Sequence, residues 1–187
     1  HGLIRDAVLT AAAPSITRHV AHRAAERLGR DAGTDPGRWA RIADLRDHAG
    51  EADAASAAHR EAARLWLGRG AAATAVSSAR AALARAESPQ LRCDAADTLS
   101  ESLARMGEFA AALPLIDSVL GWVDREDTGR IGVLHCRAAR CAIESGAPQV
   151  ARTHLAEAER LGAAGHDVAV QRATLAFESC DLPAATA

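Results

Sequence analysis

The sequence predicts an all-α chain built as an α-solenoid of antiparallel helical hairpins, and three observations carry that expectation. A glycine-led phrase recurs three times, as Gly50-Glu51-Ala52-Asp53-Ala54-Ala55, Gly107-Glu108-Phe109-Ala110-Ala111-Ala112 and Gly146-Ala147-Pro148-Gln149-Val150-Ala151. Each phrase ends one helical stretch and opens the next. The glycine supplies the left-handed turn, and the alanine five places later lets the two backbones close in. Alanine fills roughly a quarter of the chain, the composition of thin, closely packed helix interfaces. Valine and isoleucine nowhere alternate with polar residues over a useful length, so no strand is expected.

The elements follow from their punctuation. Leu3-Ile4-Arg5-Asp6-Ala7-Val8-Leu9 is an amphipathic phrase at helical spacing. Pro14-Ser15 interrupts it and starts a helix to about residue 31, which Gly33 closes. Asp35-Pro36 supplies an N-cap followed by proline at the first helical position, opening a helix over 36–49. Further helices are expected near 52–68, 72–87, 89–106, 109–123, 128–145, 148–162 and 167–179, with Ser88-Pro89 and either Asp127 or Thr128 as start signals. Pro114 falls inside one of them and is expected to bend it or loosen a turn.

Placing each turn glycine at the fifteenth position of a 34-residue frame tests a tetratricopeptide-like repeat. The Gly107 frame buries Ala96, Leu99, Ser100 and Leu103 on its first helix and Phe109, Ala112, Ile116 and Val119 on its second. The Gly50 frame puts Trp39 at the aromatic place with Ile42, Ala43, Ala55 and Ala62 behind it; the Gly146 frame gives Ala138, Ala139, Ala142, Ala151, Leu155 and Ala158. Gly70 fits too, with Trp66 and Ala75, but it crowds Gly50, so the groove-lining face of helix 52–68 stays unassigned. Such repeats imply a right-handed superhelix. The organisation expected is an N-terminal helical pair over 1–33 leading from an upstream domain, a repeat array over 34–180 and a tail over 181–187. The chain opens at His1 and its single methionine is Met106, which reads as a piece of a longer protein.

Composition narrows the function classes. All 22 basic residues are Arg, because the chain has no Lys, and acids interleave with them to a net charge of −2. A nucleic-acid footprint is a clustered basic face, so direct DNA or RNA contact by this segment is not expected. Cys93, Cys136, Cys141 and Cys180 form no Cys-x-x-Cys pair, and neither a signal peptide nor a membrane-length apolar run is present; reduced thiols and a cytoplasmic location are expected. With no Lys there is neither a phosphate-loop lysine nor a Schiff-base nucleophile, and Gly-x-Ser-x-Gly and His-Glu-x-x-His are absent. The segment is read as non-catalytic, with no cofactor or metal of its own.

Two constellations remain. His19, His22 and Glu26 share one helical stripe, from which a metal site can be drawn, although a solvated helix face is the simpler reading. Asp94, Asp97, Glu101 and Arg105 on one first helix, with Cys136 and Arg140 on the next, are expected to line a concave partner-binding groove, His135 standing beside Arg137 and Arg140. The competing reading is an ordinary charged surface. Cys136 and Cys141 are read as packing residues.

His1-Gly2-Leu3-Ile4-Arg5-Asp6-Ala7-Val8, then Pro14, His22-Arg23-Ala24-Ala25-Glu26-Arg27-Leu28, Asp35-Pro36 and Arg41-Ile42-Ala43-Asp44-Leu45 leading into Ala49-Gly50-Glu51-Ala52 are phrases in a recognisable order. In this the chain resembles the multi-domain signal-transduction ATPases typified by maltose-regulator-like activators with a LuxR-type helix-turn-helix. The likeness covers His1 to about Glu87, and the rest fits as further repeats. Gly2 stands where the family often has an acid, and Leu9 where it often has an aromatic. The resemblance implies an effector-binding or protein-interaction region of a bacterial transcriptional regulator, taking a protein or small-molecule effector in its groove and contacting the ATPase domain. ATP- and DNA-binding would lie in flanking domains. The alternative is a stand-alone tetratricopeptide adaptor that binds a peptide or protein partner.

Overall fold

The structure, a computed structural model, describes residues 13–162 and 166–178. The phrase before residue 13, Cys180 and the 181–187 tail lie outside the described residues. Within them the chain is helical, with no strand: α1 (Pro14–Arg30), α2 (Pro36–Ala49), α3 (Ala52–Gly68), α4 (Ala72–Arg85), α5 (Pro89–Met106), α6 (Phe109–Trp122), α7 (Thr128–Glu144), α8 (Pro148–Arg160) and α9 (His166–Glu178).

The boundaries have local causes. Asp35 accepts a hydrogen bond from the Gly37 N–H at 3.0 Å, and Asp127 accepts one from Arg130 N–H at 3.0 Å, each satisfying an amide that the first helical turn leaves unpaired. Gly50, Gly107 and Gly146 take φ of 79°, 86° and 70°, the left-handed turn the repeated phrase requires. α4 ends two residues earlier than its sequence suggests because Ala86 is already extended, at ψ 111°. α8 likewise stops at Arg160, ahead of another left-handed glycine, Gly162. α6 runs unbroken through Pro114, and the carbonyl that loses its helical donor there belongs to exposed Ala110, where water can serve it.

The chain divides into two compact units, 1–98 and 99–187, and the division falls within α5. In the first unit α1 packs on α2, α2 on α3 and α3 on α4. Its core joins Ala25 and Ala32 to Ile42, Ala43 and Ala58, with Leu28, Trp39 and Leu45 half-buried against it. Fully buried Ser56 donates to the Ala82 carbonyl at 2.8 Å, a polar rivet between α3 and α4. In the second unit α6 packs on α7 and α7 on α8, while α9 touches both α7 and α8. Ala139, Ala142 and Ile143 there meet Ala151, Leu155, Ala158 and Leu175. The residues that the three glycine frames place inward are buried, apart from Trp39 and Phe109, which are half-buried.

Candidate functional site

Small side chains on three successive helices open a groove in the first unit. Ala25 and Gly29 on α1, Ile42 on α2, and Ala54, Ala57 and Ala58 on α3 form an apolar floor to a depression of about 720 Å3. Trp39 stands as its aromatic wall. The indole N–H donates to the Gly33 carbonyl at 2.9 Å, which fixes the ring by its edge while it packs on the core.

The rim carries Glu26, Arg30, Arg46 and Glu61. Most of these charges are engaged within the protein. Glu61 accepts two hydrogen bonds from Arg64, at 3.0 and 2.7 Å, and those bonds outweigh its burial to hold the carboxyl below the ordinary value. Arg46 and His22 both bind Glu51, the residue after the turn glycine; the His22 Nδ1–H donates to it at 2.6 Å. Burial pushes the Glu51 carboxyl up, but the hydrogen bonds and charges of Arg46 and His22 prevail, and it too lies below the ordinary value. Arg30 makes no ion pair with any described residue and is the one rim cation left to a ligand.

In the stripe drawn from His19, His22 and Glu26, His19 is exposed and His22 Nε2 lies 3.4 Å from a partly exposed Glu26, while the other ring nitrogen of His22 reaches Glu51 at the α2–α3 turn. Among the described residues no group of three or more His, Cys, Asp and Glu converges in a metal-holding arrangement.

The six residues expected to line a groove fall on both sides of the unit boundary. In the first unit Asp94 pairs with Arg60 of α3 at 3.0 Å, which cross-links two helices, and Asp97 is half-buried. In the second, Glu101 lies 3.7 Å from both Arg105 and Arg137, and Arg137 also donates to buried Ser100 at 3.2 Å. Cys136 packs against the α7–α8 core and Arg140 is exposed. Cys93, Cys136 and Cys141 are thiols; burial raises the Cys141 value and keeps that thiol protonated. His135 meets His154 of α8, Nδ1 to Nδ1 at 2.9 Å.

Sequence reasoning missed Arg30, Ala57 and Glu61 as groove residues. The frame had already marked Trp39, and the alanine run of α3 was the remaining signal. No protein-family model matches the chain, and neither does any curated protein. No helix among the described residues is long and apolar enough to cross a membrane.

Proposed function

We propose that this chain is the effector-binding or protein-interaction region of a bacterial transcriptional regulator, a cytoplasmic, right-handed tetratricopeptide-like superhelix that recognises a ligand and performs no chemistry itself. The observation that carries the reading is the groove of α1, α2 and α3, where an alanine floor and an aromatic wall meet a rim with one uncommitted cation. Its volume lies within the roughly 300–1,000 Å3 range of small-molecule sites. The ordered phrases from His1 to Glu87 supply the regulator context. A ligand that bridges three helices favours the arrangement in which all three contact it, and so biases whatever domains are attached.

The groove is tested by thermal-shift screening of sugars, nucleotides, small metabolites and short peptides against the parent chain and Ala57→Trp, which fills the floor. A true ligand at 100-fold its Kd stabilises the parent by about 2.7 kcal/mol and the filled variant hardly at all. Hits that stabilise both proteins equally would place binding elsewhere, and an absence of hits in every class would remove the effector reading. Hits confined to peptides would favour an adaptor.

A further inference from the structure

We propose that His135 and His154 form a proton-sharing imidazole pair that clamps α7 to α8 and lets go when a second proton enters. The inference concerns the second unit and stands apart from the groove reading.

The rings present Nδ1 to Nδ1 at 2.9 Å with their centroids 5.2 Å apart. Those two distances together leave both nitrogens close to the line joining the rings, so each lone-pair direction points at the other ring. Two ligands of one metal ion would instead both point to a spot off that line. The arrangement fits a single N–H···N bond, one imidazole donating and the other accepting. It bridges facing positions of the antiparallel α7–α8 hairpin.

Charges around the pair determine where protons go. Asp117 of α6 lies 3.6 Å from His154 Nε2. That carboxylate favours a proton on Nε2, which makes His154 Nδ1 the acceptor and His135 Nδ1–H the donor. From α8, Glu157 and Arg160 also act on His135, with opposite signs, and are bonded to each other at 2.8 Å. On α9 the described charge is Arg172, held by Glu159 at 2.6 Å. Acid first fills His135 Nε2, the nitrogen left bare; the shared hydrogen then passes to His154 Nδ1, which puts the charge on the ring beside Asp117 and strengthens the bond, with His135 Nδ1 now accepting. A second proton finds only the lone pair inside the bond. Taking it sets two N–H groups and two positive charges face to face, and the rings must part. Burial lowers the proton affinity of both rings, and the neighbouring His154 lowers that of His135 further.

Nitrogen-15 NMR of the imidazoles across an acid titration of the full chain tests the pair, with signals assigned by His135→Gln and His154→Gln. Two coupled, resolved midpoints are expected, with His135 carrying Nδ1–H and His154 Nε2–H at high pH. His154→Gln should move the His135 midpoint upward. Two coincident midpoints, or a His135 midpoint that ignores the loss of His154, would overturn the pair. Hydrogen exchange on the unsubstituted chain tests release. Passing the second midpoint should cost amides of the α7–α8 hairpin about tenfold in protection, the equivalent of one lost hydrogen bond. Protection unchanged across that midpoint would refute the clamp even if the protons are shared.

Discussion

Adding one methyl group should have opposite effects at two glycines of this chain, because only one of them is a turn. At Gly146 a Cβ would meet nothing within 4 Å, so Gly146→Ala carries no packing clash; its cost is the left-handed backbone, φ 70°. Holding alanine there costs about 1–2 kcal/mol. The stiffer unfolded chain is an entropic effect of about 0.4–1 kcal/mol in the other direction. The net is a destabilisation on the order of 1 kcal/mol. At Gly121 a Cβ also meets nothing within 4 Å, but this residue lies inside α6 with no positive φ. Gly121→Ala should therefore stabilise, by about 0.5–1 kcal/mol. For a chain of this length each kcal/mol moves Tm by roughly 2–4 °C. The assay is paired urea and thermal melts by circular dichroism in one buffer. If both variants shift in the same direction, the hairpin turn at Gly146 is not what limits that position.

Two further outcomes follow from burial. Ala112, fully buried on α6, has no room for growth, so Ala112→Leu should destabilise by about 1–3 kcal/mol through overpacking; an unchanged melt would show that the α6 face is loosely packed. His59, 8% exposed and with Nε2 unpartnered, has its proton affinity lowered by burial first and by the Arg85 charge second, against Asp47 and Asp44. A base whose folded value is depressed loses stability as pH falls, beginning at its unfolded value near 6.5, because the unfolded chain takes up a proton the folded one refuses. Melts between about pH 7.5 and 5 should thus fall less steeply for His59→Leu than for the parent, and parallel slopes would exclude His59 as a source of acid lability.

Helix positions were legible because their stop and start signals are local. A left-handed glycine, Asp35-Pro36 and the Asp127 carboxylate act within a few residues of themselves, so a one-dimensional reading captures them. Inward alanines such as Ala43, Ala112 and Ala151 were legible from periodicity for the same reason. Side-chain pairing was not. Ser88 reads as its own cap, yet the N–H groups of Glu87 and Ser88 donate to Asp53, at 2.8 and 3.1 Å, from the start of α3. Those backbone bonds lower the Asp53 value. Likewise His135 was read beside the arginines of its own helix, whereas the hairpin folds it onto a residue 19 positions later. Such choices depend on which helices cross, and no spacing within one helix encodes that.

Alanine interfaces and polar bridges divide the labour here. Alanine presents a nearly smooth surface, so it fixes how closely two helices approach but penalises sliding weakly, since few knobs must climb out of holes. Register must then come from directional contacts, and several join separate helices: His22 and Arg46 on Glu51, Arg85 on Asp47, Asp53 on the start of α5, and His135 on His154. Two of these bridges contain histidine. A core of large interdigitating side chains would hold register without them. In this chain, composition leaves helix registry to polar bridges built from arginines, carboxylates and histidines.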